Sequence, residues 1–180
     1  MITVISGTDR RQSESLNFAK KYVEIIQMKT DEPVKLLALE DIPHDWWHVD
    51  MYENNGQKPS IALLQDEYML PAQKFIFLSP EYNGSFPGVL KLFLDACSVR
   101  EYKATFKGKK AALVGIATGR AGNLRGMDHL TGILNHLGII VLPNKVPISK
   151  IDQLSDATGA IIDPITIRTI EKHVEEFLDF

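Results

Sequence analysis

The chain has 180 residues, 44% hydrophobic and 24% charged, enough for one domain over 1–180 with a substantial core and no need of a metal or disulfide staple. Its 20 Lys and Arg against 23 Asp and Glu leave a net charge of −3, spread along the chain, which excludes the basic footprint of a nucleic-acid or anionic-membrane binder. The single cysteine, Cys97, excludes an internal disulfide and any Cys-built zinc or iron–sulfur site within one chain, so a reducing, cytoplasmic setting is expected.

The first apolar run, 2–6, reads as a strand, and it reaches Asp9 and Arg10 too soon for a signal peptide or membrane span. Four more short runs rich in Val, Ile, Leu and Phe follow at 34–39, 74–79, 110–117 and 139–142, as parallel strands buried on both faces require. Between them lie helical periodicities. One runs through Leu16, Ala19, Tyr22, Val23 and Ile26, and another occupies roughly 60–70. A third, opened by Pro87 and Gly88, carries Leu90, Phe93, Leu94 and Cys97, with proline where a missing N–H costs nothing. A fourth carries Met127, Leu130, Leu134 and Leu137. The last starts with Asp163 as N-cap and Pro164 as first helical residue, with Ile167, Ile170, Val174, Phe177 and Leu178 along one face. Alternating strands and helices with short connections predict a flavodoxin-like α/β three-layer sandwich, its five-stranded parallel sheet ordered 2-1-3-4-5 with helices on both faces. One long irregular stretch, 40–59, holds Pro43, His44, Trp46, Trp47, His48, Asn54, Asn55 and Gly56; lengths of this kind in compact domains are functional or mobile.

Ligands of open α/β sheets bind outside the carboxyl ends of the strands, which singles out three loops. After the first strand, Gly7 allows a tight turn, and Thr8, Arg10, Ser13 and Ser15 offer hydroxyl and guanidinium donors where a helix begins. A phosphate there would meet free N–H groups and the positive end of the helix dipole, although Ser13 reads equally as an ordinary cap. Neither a Walker loop nor a Gly-x-Gly-x-x-Gly fingerprint is present. After the third strand, Ser79-Pro80-Glu81-Tyr82-Asn83-Gly84-Ser85 offers backbone donors and acceptors beside an aromatic ring. After the fourth, Thr118-Gly119-Arg120-Ala121-Gly122-Asn123 is a Gly-rich turn that permits close backbone approach; its plain reading is a strand-to-helix connection.

Together the first two loops resemble those of the NADPH-dependent FMN reductase family of flavodoxin-like proteins, which carry Gly-Ser-x-Arg-x-x-Ser and Pro-Glu-Tyr-Asn-Gly-Ser. Here the first reads Gly7-Thr8-Asp9-Arg10-Arg11-Gln12-Ser13, with threonine retaining the hydroxyl. The second is matched from Pro80 to Ser85 and continues into Pro87-Gly88-Val89-Leu90-Lys91-Leu92, where Leu92 replaces the usual Asn. The resemblance implies noncovalent FMN, its phosphate held in the loop of Thr8, Arg10, Ser13 and Ser15, with Leu16 also among the cofactor-binding residues. It implies that Pro80, Glu81, Tyr82, Asn83 and Gly84, with Thr118, Gly119, Arg120 and Gly122, border the ring. It also implies an NADPH or NADH hydride donor, a small flat acceptor (flavin, quinone, azo compound or oxyanion) reduced in a ping-pong cycle, and a homodimer or homotetramer. No protein side chain is then expected to be catalytic, because the flavin carries the redox chemistry. Arg120 stands either as a charge near the reduced ring or as a solvated loop arginine, and Glu81 as an acceptor for nearby N–H groups. A flavodoxin-like electron carrier without a nicotinamide site is the alternative; the modest net charge argues against it, since carriers steer partners with acidic surfaces.

His44 and His48, four residues apart, have the spacing of metal ligands on a helix, but the Pro and Trp around them argue against a helix, and no metal is expected. Trp46 and Trp47 stand equally for a lid, an interface or packing. Cys97 falls on an apolar helix face, with Lys103 in place of the Arg of a Cys-x5-Arg phosphatase pattern, so it reads as a core residue rather than a nucleophile.

Overall fold

In chain order the elements are β1 (Ile2–Ser6), α1 (Glu14–Lys29), β2 (Val34–Ala38), α2 (Pro59–Leu64), β3 (Lys74–Pro80), α3 (Gly88–Ser98), α4 (Tyr102–Phe106), β4 (Lys110–Ile116), α5 (Leu124–Leu137), β5 (Ile140–Val141), β6 (Val146–Ile148) and α6 (Pro164–Asp179). The computed structural model describes residues 1–53 and 56–180; Asn54 and Asn55 of the long irregular stretch lie outside the described residues. The sheet is parallel throughout, in the order β2-β1-β3-β4-β5, with β6 also on β4. β1 sits between β2 and β3 with Ser6 opposite Ala38 and Leu78.

Alternation along the strands divides the core into two layers. Ile5, Phe75, Phe77 and Leu113 face α2, α3 and α5, burying Ile61, Phe93 and Leu130. Val4, Ile76, Leu78 and Val114 face α1 and α6, burying Phe18, Tyr22 and Val174. The α1 and α6 starts follow their sequence signals. Ser13 Oγ accepts from Ser15 N at 3.3 Å, and Asp163 accepts from Thr166 N at 2.7 Å with Pro164 in the first turn.

Three elements depart from expectation. The strand expected at 139–142 is split, because Pro143 has no N–H to extend the ladder; the chain leaves after Val141 and returns as β6 against Val114–Ile116. Among the described residues the sheet therefore has six strands rather than five. The helix expected at 60–70 is α2 continued by a π-helical turn, Gln65–Met69. Its first residue has a fully buried carboxamide that donates to Cys97 O, Arg100 O and Thr105 Oγ1, so a polar hub interrupts the apolar periodicity. α4 was not expected; five residues are too few for a period to register.

A buried pair joins α1 to α6. His173 Nε2 lies 3.3 Å from the carbonyl of Asn144, which can only accept, so Nδ1 accepts from the Tyr22 hydroxyl at 2.9 Å. Burial holds the His173 pKa below its ordinary 6.5, against smaller opposing pulls from the Asn144 carbonyl and Glu176. The folded state thus resists protonation that the unfolded chain accepts. Stability from this site is complete above pH 6.5 and is lost as pH falls below it towards the folded-state pKa. Between about pH 7.5 and pH 5.5 the protein should lose more thermal stability than His173→Gln does; parallel unfolding curves would show that His173 contributes nothing to acid sensitivity.

Candidate functional site

A cleft of about 340 Å³ opens at the carboxyl ends of β1, β3 and β4. Its first wall follows β1. Gly7 N donates to Leu78 O at 2.8 Å, and a Cβ at Gly7 would come within 2.9 Å of that carbonyl and 3.0 Å of Leu90 Cδ2, so only glycine lets the chain turn this close to β3. Thr8 is buried beneath the cleft, where its hydroxyl meets the Tyr82 hydroxyl at 2.7 Å and accepts from Arg10 N at 3.2 Å. Gln12 adopts φ +56 just ahead of the Ser13 cap. Ser15, in the first turn of α1, is buried, and its Oγ has no hydrogen-bond partner among the described residues.

The second wall is the loop after β3. Glu81 N is tied to Ile116 O at 2.9 Å, and Tyr82 and Ser85 exchange backbone bonds at 2.9 and 3.0 Å. Asn83 at φ +51 and Gly84 at φ +79 close this turn as a type I′ pair. The Glu81 carboxylate accepts from Gly84 N, the acceptor role read from the sequence.

Behind both walls the loop after β4 is pressed against its own strand. A Cβ at Gly115 would lie 2.0 Å from the carbonyl oxygen of Gly122, and one at Gly122 would meet Pro147 at 2.6 Å. Asn123 Nδ2, buried, donates to Ser79 O (2.9 Å), Ser79 Oγ (3.2 Å) and Pro80 O (3.0 Å), binding the start of α5 to the end of β3. Ala117 N bonds Ile148 O at 3.0 Å, which brings the turn Ile151–Gln153 to the cleft edge.

Of the residues singled out in the sequence, Arg10, Ser13, Ser15, Pro80, Glu81, Tyr82 and Thr118 line this cleft together. Thr8 lies beneath it, and Asn83 and Gly84 form the tip of the adjoining turn. Leu16, Gly119, Arg120 and Gly122 are outside the lining, with Gly119 and Arg120 exposed. Gln12, Glu14, Ile116, Ala117, Ile151 and Asp152 complete the walls. Gln12 in the first loop and Glu14 at the start of α1 were within reach of the loop's motif; Ile151 and Asp152 follow the strand that the sequence did not reveal.

Among the described residues the lining holds hydroxyls, carboxylates, one guanidinium and one phenol but no imidazole or thiol, so it is equipped to hold a ligand rather than to attack one. Elsewhere, Cys97 is buried, and burial pushes its thiol pKa up, the opposite of an activated nucleophile. Among the described residues, no cluster of three or more His, Cys, Asp or Glu is arranged for a metal ion. No described helix is long and apolar enough to cross a membrane. Trp46 packs in the core, whereas Trp47 stands 64% exposed.

The sequence model of the family described as NADPH-dependent FMN reductase matches residues 1–153. A 2-hydroxy-1,4-benzoquinone reductase of a Burkholderia species is 30% identical over 122 residues, 67% of this chain and 64% of its own length. An NAD(P)H-dependent FMN reductase of Pseudomonas aeruginosa is 31% identical over 172 residues, 95% of this chain and 89% of its own. Among solved structures, the flavoenzyme NAD(P)H:(acceptor) oxidoreductase FerB of Paracoccus denitrificans aligns with a TM-score of 0.75 at 25% identity, covering 99% of this chain and 94% of the other.

Proposed function

Because the chain belongs to the NADPH-dependent FMN reductase family, we propose that it binds FMN noncovalently in this cleft and uses NADPH or NADH to reduce a small, flat acceptor. Quinones come first, with free flavin, azo compounds and oxyanions as further candidates. The observation that carries the reading is Ser15 Oγ. A buried hydroxyl without a partner costs about 1–3 kcal/mol, and this one lines a cleft at the start of α1, where a phosphate group would satisfy it along with the first free N–H groups of the helix. Arg10 brings the only positive charge among the described lining residues.

The redox chemistry is what FMN supplies when bound. The chain's own part is to hold and orient. Arg10, Ser13 and Ser15 take the phosphate end, while Pro80, Glu81 and Tyr82, with Ala117 and Thr118, line the part of the cleft left for a planar group. Thr8 acts one layer down, fixing the Tyr82 phenol through its hydroxyl. A homodimer or homotetramer and a cytoplasmic setting belong to the same proposal; the lone buried Cys97 suits a reducing compartment.

The test is a visible absorbance spectrum of the purified protein with added FMN, followed by anaerobic NADPH or NADH. A bound-flavin spectrum that bleaches on adding the nicotinamide is the expected result. Bound flavin that stays oxidised with both donors would favour an electron carrier, and failure to bind FMN would sink the reading.

A further inference from the structure

The turn Tyr82–Ser85 is anchored unevenly. On its inner side the Tyr82 hydroxyl meets Thr8, and Glu81 N is tied to β4. Across the tip, Tyr82 and Ser85 bond each other, and the Glu81 carboxylate takes Gly84 N. On the outer side, among the described residues, a single side-chain bond reaches another element: Ser85 Oγ to His129 Nδ1 on α5, at 2.9 Å over 44 residues of sequence. Arg125, one helical turn before His129, stands beside the same tip, its Nη1 3.2 Å from where a Gly84 Cβ would be. α5 is a firm support, because Asn123 at its start is bonded to the last residues of the strand from which the turn springs. His129 therefore closes a ring of contacts running from β3 through Asn123, along α5 and back through Ser85 to the turn.

We propose that His129 is a positioning residue for the ring-binding turn: through Ser85 it fixes the outer edge of the loop that carries Tyr82 into the cleft. The proposal rests on the FMN reading above. His129 does not line the cleft itself, so its influence is on where Tyr82 and its neighbours stand. Two consecutive left-handed residues give the turn its shape but no hold on the rest of the molecule, and Asn83 at its tip is exposed. Without the outer bond the tip is free to swing about its inner attachment at Thr8, and the slot for a planar group loses its fixed width. Because preorganisation of the site enters binding free energy directly, the loss should appear in cofactor affinity and in the asymmetry of the bound ring's surroundings, with the fold intact.

The experiment is a double-mutant cycle read by FMN titration and by the visible circular dichroism of bound flavin. H129A and S85A should each raise the FMN dissociation constant about two- to tenfold, the span of one ordinary hydrogen bond. H129A/S85A should be no worse than the weaker-binding single variant, since both remove the same contact. H129N, whose carboxamide reaches the position of Nδ1, should restore affinity to within about twofold and recover the dichroic band. Thermal midpoints should stay within about 2 °C of the starting protein, because both residues lie at the surface. Additive losses, an unchanged constant in H129A, or no rescue by H129N would overturn the proposal. If the unaltered protein itself takes up no FMN, the cofactor reading falls with it; if it binds and H129A binds equally, only the role of His129 falls.

Discussion

Gly115→Val should lower the thermal midpoint by about 6 to 12 °C, while Gly119→Ala, four residues on, should move it by less than about 2 °C. At Gly115 the first side-chain carbon would overlap the Gly122 carbonyl oxygen, 2.0 Å away, and approach Met127 Cε at 3.0 Å. A methionine end can move aside. The carbonyl cannot, because Gly122 is itself packed on Pro147 and followed by Asn123, whose three hydrogen bonds hold the end of β3. Valine must therefore push the loop off its strand, at a cost of roughly 3 kcal/mol, the upper end for overpacking. For a chain of this size each kcal/mol is worth about 2 to 4 °C. At Gly119 nothing among the described residues lies within 4 Å of a new Cβ, and its φ is not left-handed. A differential scanning measurement on both variants suffices; a Gly115→Val midpoint within about 3 °C of the original would mean that the loop has room to retreat.

That contrast marks where the sequence is legible. Gly119 and Gly122 stood out because they interrupt a loop, yet the glycine under the greatest steric demand is Gly115, inside a strand, where nothing in the apolar run Lys110–Ile116 hints that another backbone lies against it. The sheet order was readable because buried parallel strands are short, uniformly apolar and separated by amphipathic helices. The split of the last strand was half legible: Pro143 forbids continuation, but the return at Val146 depends on the backbone partners Val114, Gly115 and Ile116 rather than on its own composition. The cleft followed the same division. Residues of contiguous motifs, such as Arg10, Ser13, Pro80 and Tyr82, come together because their loops leave adjacent strand ends. The Thr8–Tyr82 and Ser85–His129 bonds join segments 74 and 44 residues apart, and Asp152 follows the unread strand; no local pattern reports them. Thr8 is instructive: its hydroxyl, expected at the phosphate, is buried and bonded to a phenol from the opposite wall, so conserving the hydroxyl in place of serine preserves a joint between the two walls.

Arg10→Ala should weaken FMN binding roughly tenfold to a hundredfold, the equivalent of about 1.5 to 3 kcal/mol for a hydrogen bond to a charged group. The cleft's charge makes the effect large. Glu14, Glu81 and Asp152 all line it with Arg10, so removing the guanidinium leaves a dianionic ligand among carboxylates, with only hydroxyls and the α1 N–H groups to offset the repulsion. Arg10 is exposed, and its backbone N–H already serves the Thr8 turn whatever its side chain, so alanine should leave the fold in place and the loss should be electrostatic. That origin has its own signature. Riboflavin, which shares the ring and ribityl chain but has no phosphate, should bind Arg10→Ala as well as it binds the unaltered protein, and the FMN defect should shrink as salt screens the interaction. Equal losses for FMN and riboflavin would instead show that Arg10 shapes the cleft, and the phosphate would then rest on Ser13, Ser15 and the start of α1, where a buried hydroxyl without a partner already favours an acceptor.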